Sequence, residues 1–224
     1  MVSLLPWYWD REKGRDEAEL LREQFPSLEL KLDREKRHAW TKGVLSVADR
    51  ISYTVNLTLP PNYPDGVPKL WIDSREIPWT PDRHVNQHSG EACLCVRSEY
   101  RLHWPRGSNL SLFIERLVLP FFAAQFFFDT YGLWPKDGAR SHGREGILEA
   151  YRDMIAPLGD SSIEVIEKVM RMLATTRRPQ GHELCPCGSG LILRACHSTV
   201  LRDLREHVAS EHAAADLDLA FPSQ

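Results

Sequence analysis

Ile51-Ser52-Tyr53-Thr54-Val55-Asn56-Leu57-Thr58-Leu59 is apolar at its five odd positions and polar at the four between them. A period of two is what a strand with one buried face requires. The stretch runs into Pro60-Pro61-Asn62-Tyr63-Pro64-Asp65-Gly66, where prolines fix φ and Asp-Gly closes a turn. Pro68 to Asp73 is then a further short strand. Working back, Leu28, Leu30 and Leu32 alternate with Glu29 and Lys31, and Arg37 to Val47 is a strand carrying Trp40, Val44 and Leu45. Ala48-Asp49-Arg50 joins it to Ile51. Asp16 to Gln24 has leucines on one helical face and is stopped by Pro26. One helix followed by four strands at hairpin spacing is an antiparallel meander, and the fold class is α+β.

The later helices follow from their own signals. Asn109 caps a helix through Phe128 that Pro120 bends. Glu145 to Ile155 is a second, after Ser141-His142-Gly143. A third starts at Asp160 or Ser161 and runs to about Thr175, with Ile163, Ile166, Val169, Met170 and Leu173 at helical spacing. Val200 to Ala215 reads as helical, and Asp216 to Gln224 as a loosely held tail. The expected divisions are residues 1–157, a connecting helix and linker over 158–180, a knuckle over 181–200, and a helix and tail over 201–224.

With 224 residues, 42% of them apolar, the chain has ample material for a core. A formal charge of -3 gives no pull toward nucleic acid or an anionic membrane. Pro6, Asp10 and Arg11 cut short the apolar start at Met1 to Trp9, so no signal peptide is expected. Leu110 to Phe128 carries Glu115, Arg116 and Gln125, which suits a core helix better than a membrane span. Five cysteines, three of them clustered with a histidine, make a poor disulfide framework, and a reducing, cytoplasmic setting is expected.

That cluster is Cys185-Pro186-Cys187-Gly188-Ser189-Gly190, followed by Cys196-His197. Three thiolates and an imidazole complete a tetrahedral zinc set with no open position, so a structural ion is expected. The segment resembles the SEC-C motif, a small zinc module. Leu191-Ile192-Leu193-Arg194 replaces the lysines usual in that motif, so a basic docking face is not expected.

Ser74 to Pro105 has no sustained period and holds His84-Val85-Asn86-Gln87-His88-Ser89-Gly90-Glu91-Ala92-Cys93-Leu94. Long irregular stretches in compact domains often carry function. A thiol with a side-chain amide nearby suits acyl transfer through a thioester, although a cysteine beside a turn is equally readable as packing. A zinc deaminase needs a His-x-Glu triplet, which the chain lacks. A cysteine protease needs a base histidine, and nothing in the sequence ties His38 or His142 to Cys93.

Taken in order, these elements resemble the ubiquitin-conjugating (UBC-fold) family over roughly residues 15 to 157. Tyr53 to Leu59 with Pro60-Pro61-Asn62-Tyr63-Pro64 is similar to its third strand and Tyr-Pro turn, and Pro68-Lys69-Leu70-Trp71 to its fourth. His84-Val85-Asn86 stands in the His-Pro-Asn place, Cys93-Leu94 in the cysteine place, and Trp104-Pro105 in that of the downstream tryptophan. Val85 departs from the proline, the loop from Asn86 to Cys93 is one residue shorter, and Cys95 sits where an acidic residue is common. The resemblance implies that Cys93 carries the C-terminus of a ubiquitin-like modifier as a thioester. It also implies that Asn86 stabilises the oxyanion or holds the loop, and that His84 fixes the loop. His88, Glu91, Tyr100 and His103 are candidates to help deprotonate the incoming amine, and Cys95 is a second thiol or inward packing. With no Gly-rich phosphate loop, a separate activating partner is expected to supply the acyl group. By analogy with bacterial relatives in CBASS-type antiphage operons, the target is a protein such as a cGAS-like nucleotidyltransferase. The rival class is a non-catalytic adaptor that binds proteins through its UBC-like surface and knuckle.

Overall fold

The computed structural model describes residues 10–33, 35–36, 38–47, 50–136, 138 and 140–222. Expectations for Met1 to Trp9, Ala48-Asp49 and the last two residues fall outside them. The chain divides into two compact units, residues 1–94 with 103–139, and residues 95–102 with 140–224. The class is α+β, with a four-stranded antiparallel sheet and several helices.

The first unit begins with helix α1 (Arg11–Gln24), whose amides at Glu12 and Lys13 are capped by the Asp10 carboxylate. The strands β1 (Leu28–Asp33), β2 (His38–Val47), β3 (Ile51–Leu59) and β4 (Lys69–Leu70) lie side by side in chain order. On β3 the odd residues Tyr53, Val55, Leu57 and Leu59 are buried, as the alternation requires. On β2 the buried residues are Ala39, Thr41, Leu45 and Val47, while Val44 is exposed and Trp40 half-buried, stacked on His38 at 4.9 Å. Register decides this: Thr41 pairs with Leu57 and Leu45 with Tyr53, so the odd residues of both strands share the core face. β4 is shorter than Pro68 to Asp73 because the chain changes partner, with Trp71 bridging to Glu91.

Behind the sheet runs a helical stretch: α3 (Leu110–Phe113), a π-turn (Ile114–Val118) and α4 (Leu119–Tyr131). Asn109 caps it through Leu112 N. Pro120 accounts for the π-turn, because it has no N–H and its ring crowds the carbonyl one turn back. By length and composition Leu110–Tyr131 could cross a membrane, yet much of it is buried inside the unit, with Phe122 stacked on Tyr53 at 4.6 Å. The half-buried Glu17 carboxylate accepts from Tyr63 Oη at 2.9 Å and from Leu110 N, tying α1 to the start of α3. Trp104, fully buried, packs against Tyr63 and Phe113 and donates to Asn109 O.

The second unit is helical: α5 (Gly143–Met154), α6 (Ile163–Ala174), α7 (Ser198–His207) and α8 (Ser210–Ala220), with α2 (Tyr100–His103) following a 3-10 turn at Arg97–Glu99. Val165, Ile166, Val169, Met170 and Leu173 of α6 are buried, each worth about 1.5–3 kcal/mol of apolar burial. Ile163, expected among them, is exposed. The expected single helix over Val200 to Ala215 is two, because Val208 leaves the helix and turns into the core with no glycine or proline to mark the break.

The expected tail at Asp216 is instead part of α8. Asp216 is buried and accepts hydrogen bonds from the Ser98 hydroxyl and, more weakly, from Tyr151 Oη at 3.5 Å. Beside them Arg140 bridges Glu99 and Asp153, each at 2.5 Å. Burial is the largest influence on Asp216 and raises its carboxyl above the ordinary range, against the Ser98 bond that lowers it. Above that range the folded chain holds the extra proton, so this group's stabilising share is greatest at low pH and is lost as pH rises through the raised value. Asp216→Asn keeps an acceptor for Ser98 and removes the titration. The melting temperature of the variant relative to the unaltered chain is therefore expected to climb from about pH 4 upward. A flat difference across a pH series of thermal melts would defeat this.

Candidate functional site: an exposed thiol on an edge hairpin and a cysteine-histidine cluster

Residues 84–93 form a hairpin. Val85 bridges Ala92, Asn86 N donates to Glu91 O at 2.9 Å, and Gly90 N donates to Asn86 O at 2.8 Å. Its second limb lies along the open side of β4, with Ala92 N bonded to Leu70 O and Ile72 N to Gly90 O. Alternation then decides the side chains: Val85 and Ala92 are buried, and Cys93 faces out. The Cys93 amide donates to His84 O at 2.8 Å, which closes the base of the hairpin.

Each sequence candidate has a place here. Asn86 Oδ1 accepts from the amides of His88 (2.9 Å) and Ser89 (3.0 Å), an Asx turn that holds the tip and leaves the Nδ2 hydrogens as the side chain's donors. His84 ends a 3-10 turn (Pro81–Arg83) in the left-handed region at φ 51°, with its ring edge-on to Trp134 at 5.2 Å. Val85, where the resembled family has proline, donates its amide to Thr80 O at 3.2 Å, a bond proline could not make. His88 is exposed and faces Gln87, and Glu91 pairs with Lys69 at 3.0 Å. Exposed His103 ends α2, whose first residue, Tyr100, belongs to the other unit, as does Cys95. Burial pushes the Cys95 thiol well above its usual value, helped by Glu99 and opposed by Arg140, so it is a weak nucleophile.

Gly90 is a close-approach position. A Cβ there would come within 2.4 Å of the Trp79 ring, and the residue sits at φ +76°. Trp79 is itself held by Nε1 donating to Ile72 O. Gly90→Ala is expected to cost about 2–4 kcal/mol, from left-handed strain and overpacking together, readable in a denaturant titration. A loss under about 0.5 kcal/mol, the level of an ordinary surface change, would show that the hairpin yields without cost.

The second candidate is the cluster of Cys185, Cys187, Cys196 and His197, whose ligand atoms all lie within 4.8 Å of one another. Cys187 Sγ and Cys196 Sγ are 3.6 Å apart, and His197 Nδ1 is 3.2 Å from Cys196 Sγ and 3.5 Å from Cys185 Sγ. In a tetrahedron with metal–sulfur bonds of about 2.3 Å, neighbouring ligands stand about 3.6–3.8 Å apart. The four residues thus fit a metal ion. The local chain builds this with a bridge between Leu184 and Ile192 and a bond from Cys185 N to Leu191 O, while Gly188 and Gly190 turn at positive φ. Buried Cys185 and Leu193 join the same apolar cluster as α6 and α7, so the knuckle is rooted in the helical unit.

Three groups of site-forming residues were not singled out from sequence: Arg83, Gln125 and Asp129 around the hairpin base, Trp79 beneath Gly90, and Ser98 with Asp216. Gln125 and Asp216 did leave a signal, each a polar residue within an apolar helical face. Comparison with family models, characterised proteins and solved structures finds no match to this chain.

Proposed function

We propose that the protein is a ubiquitin-conjugating-like transferase that carries an acyl group as a thioester on Cys93, in a cytoplasmic setting. The supporting observation is the exposed Cys93 thiol at the base of a hairpin whose tip is tied by Asn86 and whose limb lies along the meander's last strand. This agrees with the UBC-like order of elements in the sequence. In the first step Cys93 Sγ attacks the carbonyl carbon of an acyl adenylate or thioester supplied by a separate activating protein. A C–S bond forms, and AMP or the carrier thiolate leaves. In the second step a lysine amine, or another nucleophile, attacks the thioester carbonyl. The C–N bond forms, the Cys93 thiolate is expelled, and the amine gives up a proton to solvent or a nearby base. The Asn86 Nδ2 hydrogens are the side-chain donors available to the developing oxyanion. The acyl group is the C-terminus of a ubiquitin-like modifier, and the target a protein such as a cGAS-like nucleotidyltransferase. The cysteine-histidine cluster holds zinc, whose fully protein-ligated set supplies stability rather than chemistry.

The test incubates the chain with candidate modifier and activating proteins. An adduct that survives a non-reducing gel, is cleaved by thiol, and maps to Cys93 by mass spectrometry supports the proposal. Partner binding with no such adduct under any pairing would leave the adaptor reading in its place.

A further inference from the structure

Helix α4 reaches the base of the Cys93 hairpin through a residue the acyl-transfer reading does not use. Gln125 is fully buried in an otherwise apolar run. Its Nε2 donates to the Arg83 carbonyl at 2.8 Å, and its Oε1 accepts from Arg83 Nε at 2.7 Å, so both ends of one side-chain amide grip one residue. The Arg83 guanidinium lies over the Phe128 ring at 4.9 Å and 2.7 Å from Asp129, an ion-pair distance without the alignment of a hydrogen bond. Phe128 also packs on Trp134, which meets the His84 ring. One turn of α4 therefore holds Arg83 and the wall beside His84.

The next link is backbone. His84 sits in the left-handed region, which a non-glycine residue keeps only when its surroundings impose it. Its carbonyl is the acceptor for the Cys93 amide. We propose that Gln125 and Arg83 are positioning residues for Cys93: their reciprocal hydrogen bonds fix the Arg83-His84 dipeptide, and the His84 carbonyl fixes the nucleophile's backbone. Any consequence for acyl transfer rests on the transferase reading, whereas the effect on the Cys93 backbone does not.

Gln125→Leu removes both bonds at similar volume. Arg83→Lys keeps a positive charge toward Asp129 but loses the Nε bond, and it lies at a less buried point should the first variant fold poorly. The measurement is amide exchange by NMR, together with the Cys93 amide proton shift and the rate of Cys93 alkylation by iodoacetamide. In a folded variant the Cys93 amide should exchange at least about tenfold faster and move upfield, while β3 amides stay protected; alkylation should change about threefold or more. Unchanged Cys93 protection and shift in both variants would overturn the proposal. So would a loss shared equally by β3, which marks general stability rather than positioning. If the unaltered chain forms no thiol-sensitive adduct, the transferase reading fails and the amide result still decides this one.

Discussion

Cys93→Ala should abolish the thiol-sensitive adduct completely, whereas Cys95→Ser should leave it close to the level of the unaltered chain. The two thiols are two residues apart, and their surroundings separate them. Cys93 is exposed at the end of a hairpin limb, where an incoming carbonyl can reach sulfur. Cys95 is half-buried, and burial, helped by Glu99 and opposed by Arg140, raises its thiol well above the usual value. The thiolate is the nucleophile, so Cys95 is the weaker of the two thiols. Gel densitometry on the two variants and mass spectrometry of the adduct measure this. A persistent adduct in Cys93→Ala, or its loss in Cys95→Ser with a normal melting temperature, would move the nucleophile elsewhere.

Cys185→Ser with Cys187→Ser is expected to reduce bound zinc from about one per chain to background and to lower the melting temperature by about 10 °C or more. Structural zinc binding in small peptides is worth about 10–16 kcal/mol. If only a third of that supports this unit, about 4 kcal/mol is lost, which for a chain of this length corresponds to about 8–16 °C. The unit has reason to respond, because Cys185 and Leu193 are buried in the cluster that includes α6 and α7. In the metal-free set the Ser189 hydroxyl draws the Cys187 thiol down to about 6, while burial pushes Cys185 up to about 11. Zinc would take both as thiolates, so affinity should weaken on acidification. Elemental analysis beside differential scanning calorimetry checks the outcome. Unchanged stoichiometry in the double variant would remove the assignment.

How far the sequence could be read depended on whether a property was local. The β3 alternation reported its own buried face, and Asn109 its own capping role. The cysteine spacing brought four ligands together because a short knuckle leaves them little freedom. The buried face of β2 could not be read from Trp40, Val44 and Leu45 alone, because it is settled by pairing with β3, not by which of its residues are most apolar. Ile163 and the tail beginning at Asp216 were misplaced for a similar reason. Whether each is buried depends on the surrounding fold, as for Asp216, whose partner Ser98 is 118 positions away. At the thiol site the Asx turn of Asn86 was legible as loop-holding. The Gln125–Arg83 grip was not, since no local pattern links residues 42 apart.

The hairpin against β4 has a consequence for solubility. A sheet ends in unpaired backbone groups that can recruit a strand from another molecule. On one side β1 carries Glu29, Lys31 and Asp33, charges of the kind that discourage such pairing. On the other, Leu70 O and Ile72 N are already bonded to residues 90–92. The segment that presents Cys93 thus also seals the sheet. Any change that peels it away would uncover a sticky apolar border as well as displace the thiol, and loss of activity would then arrive together with aggregation.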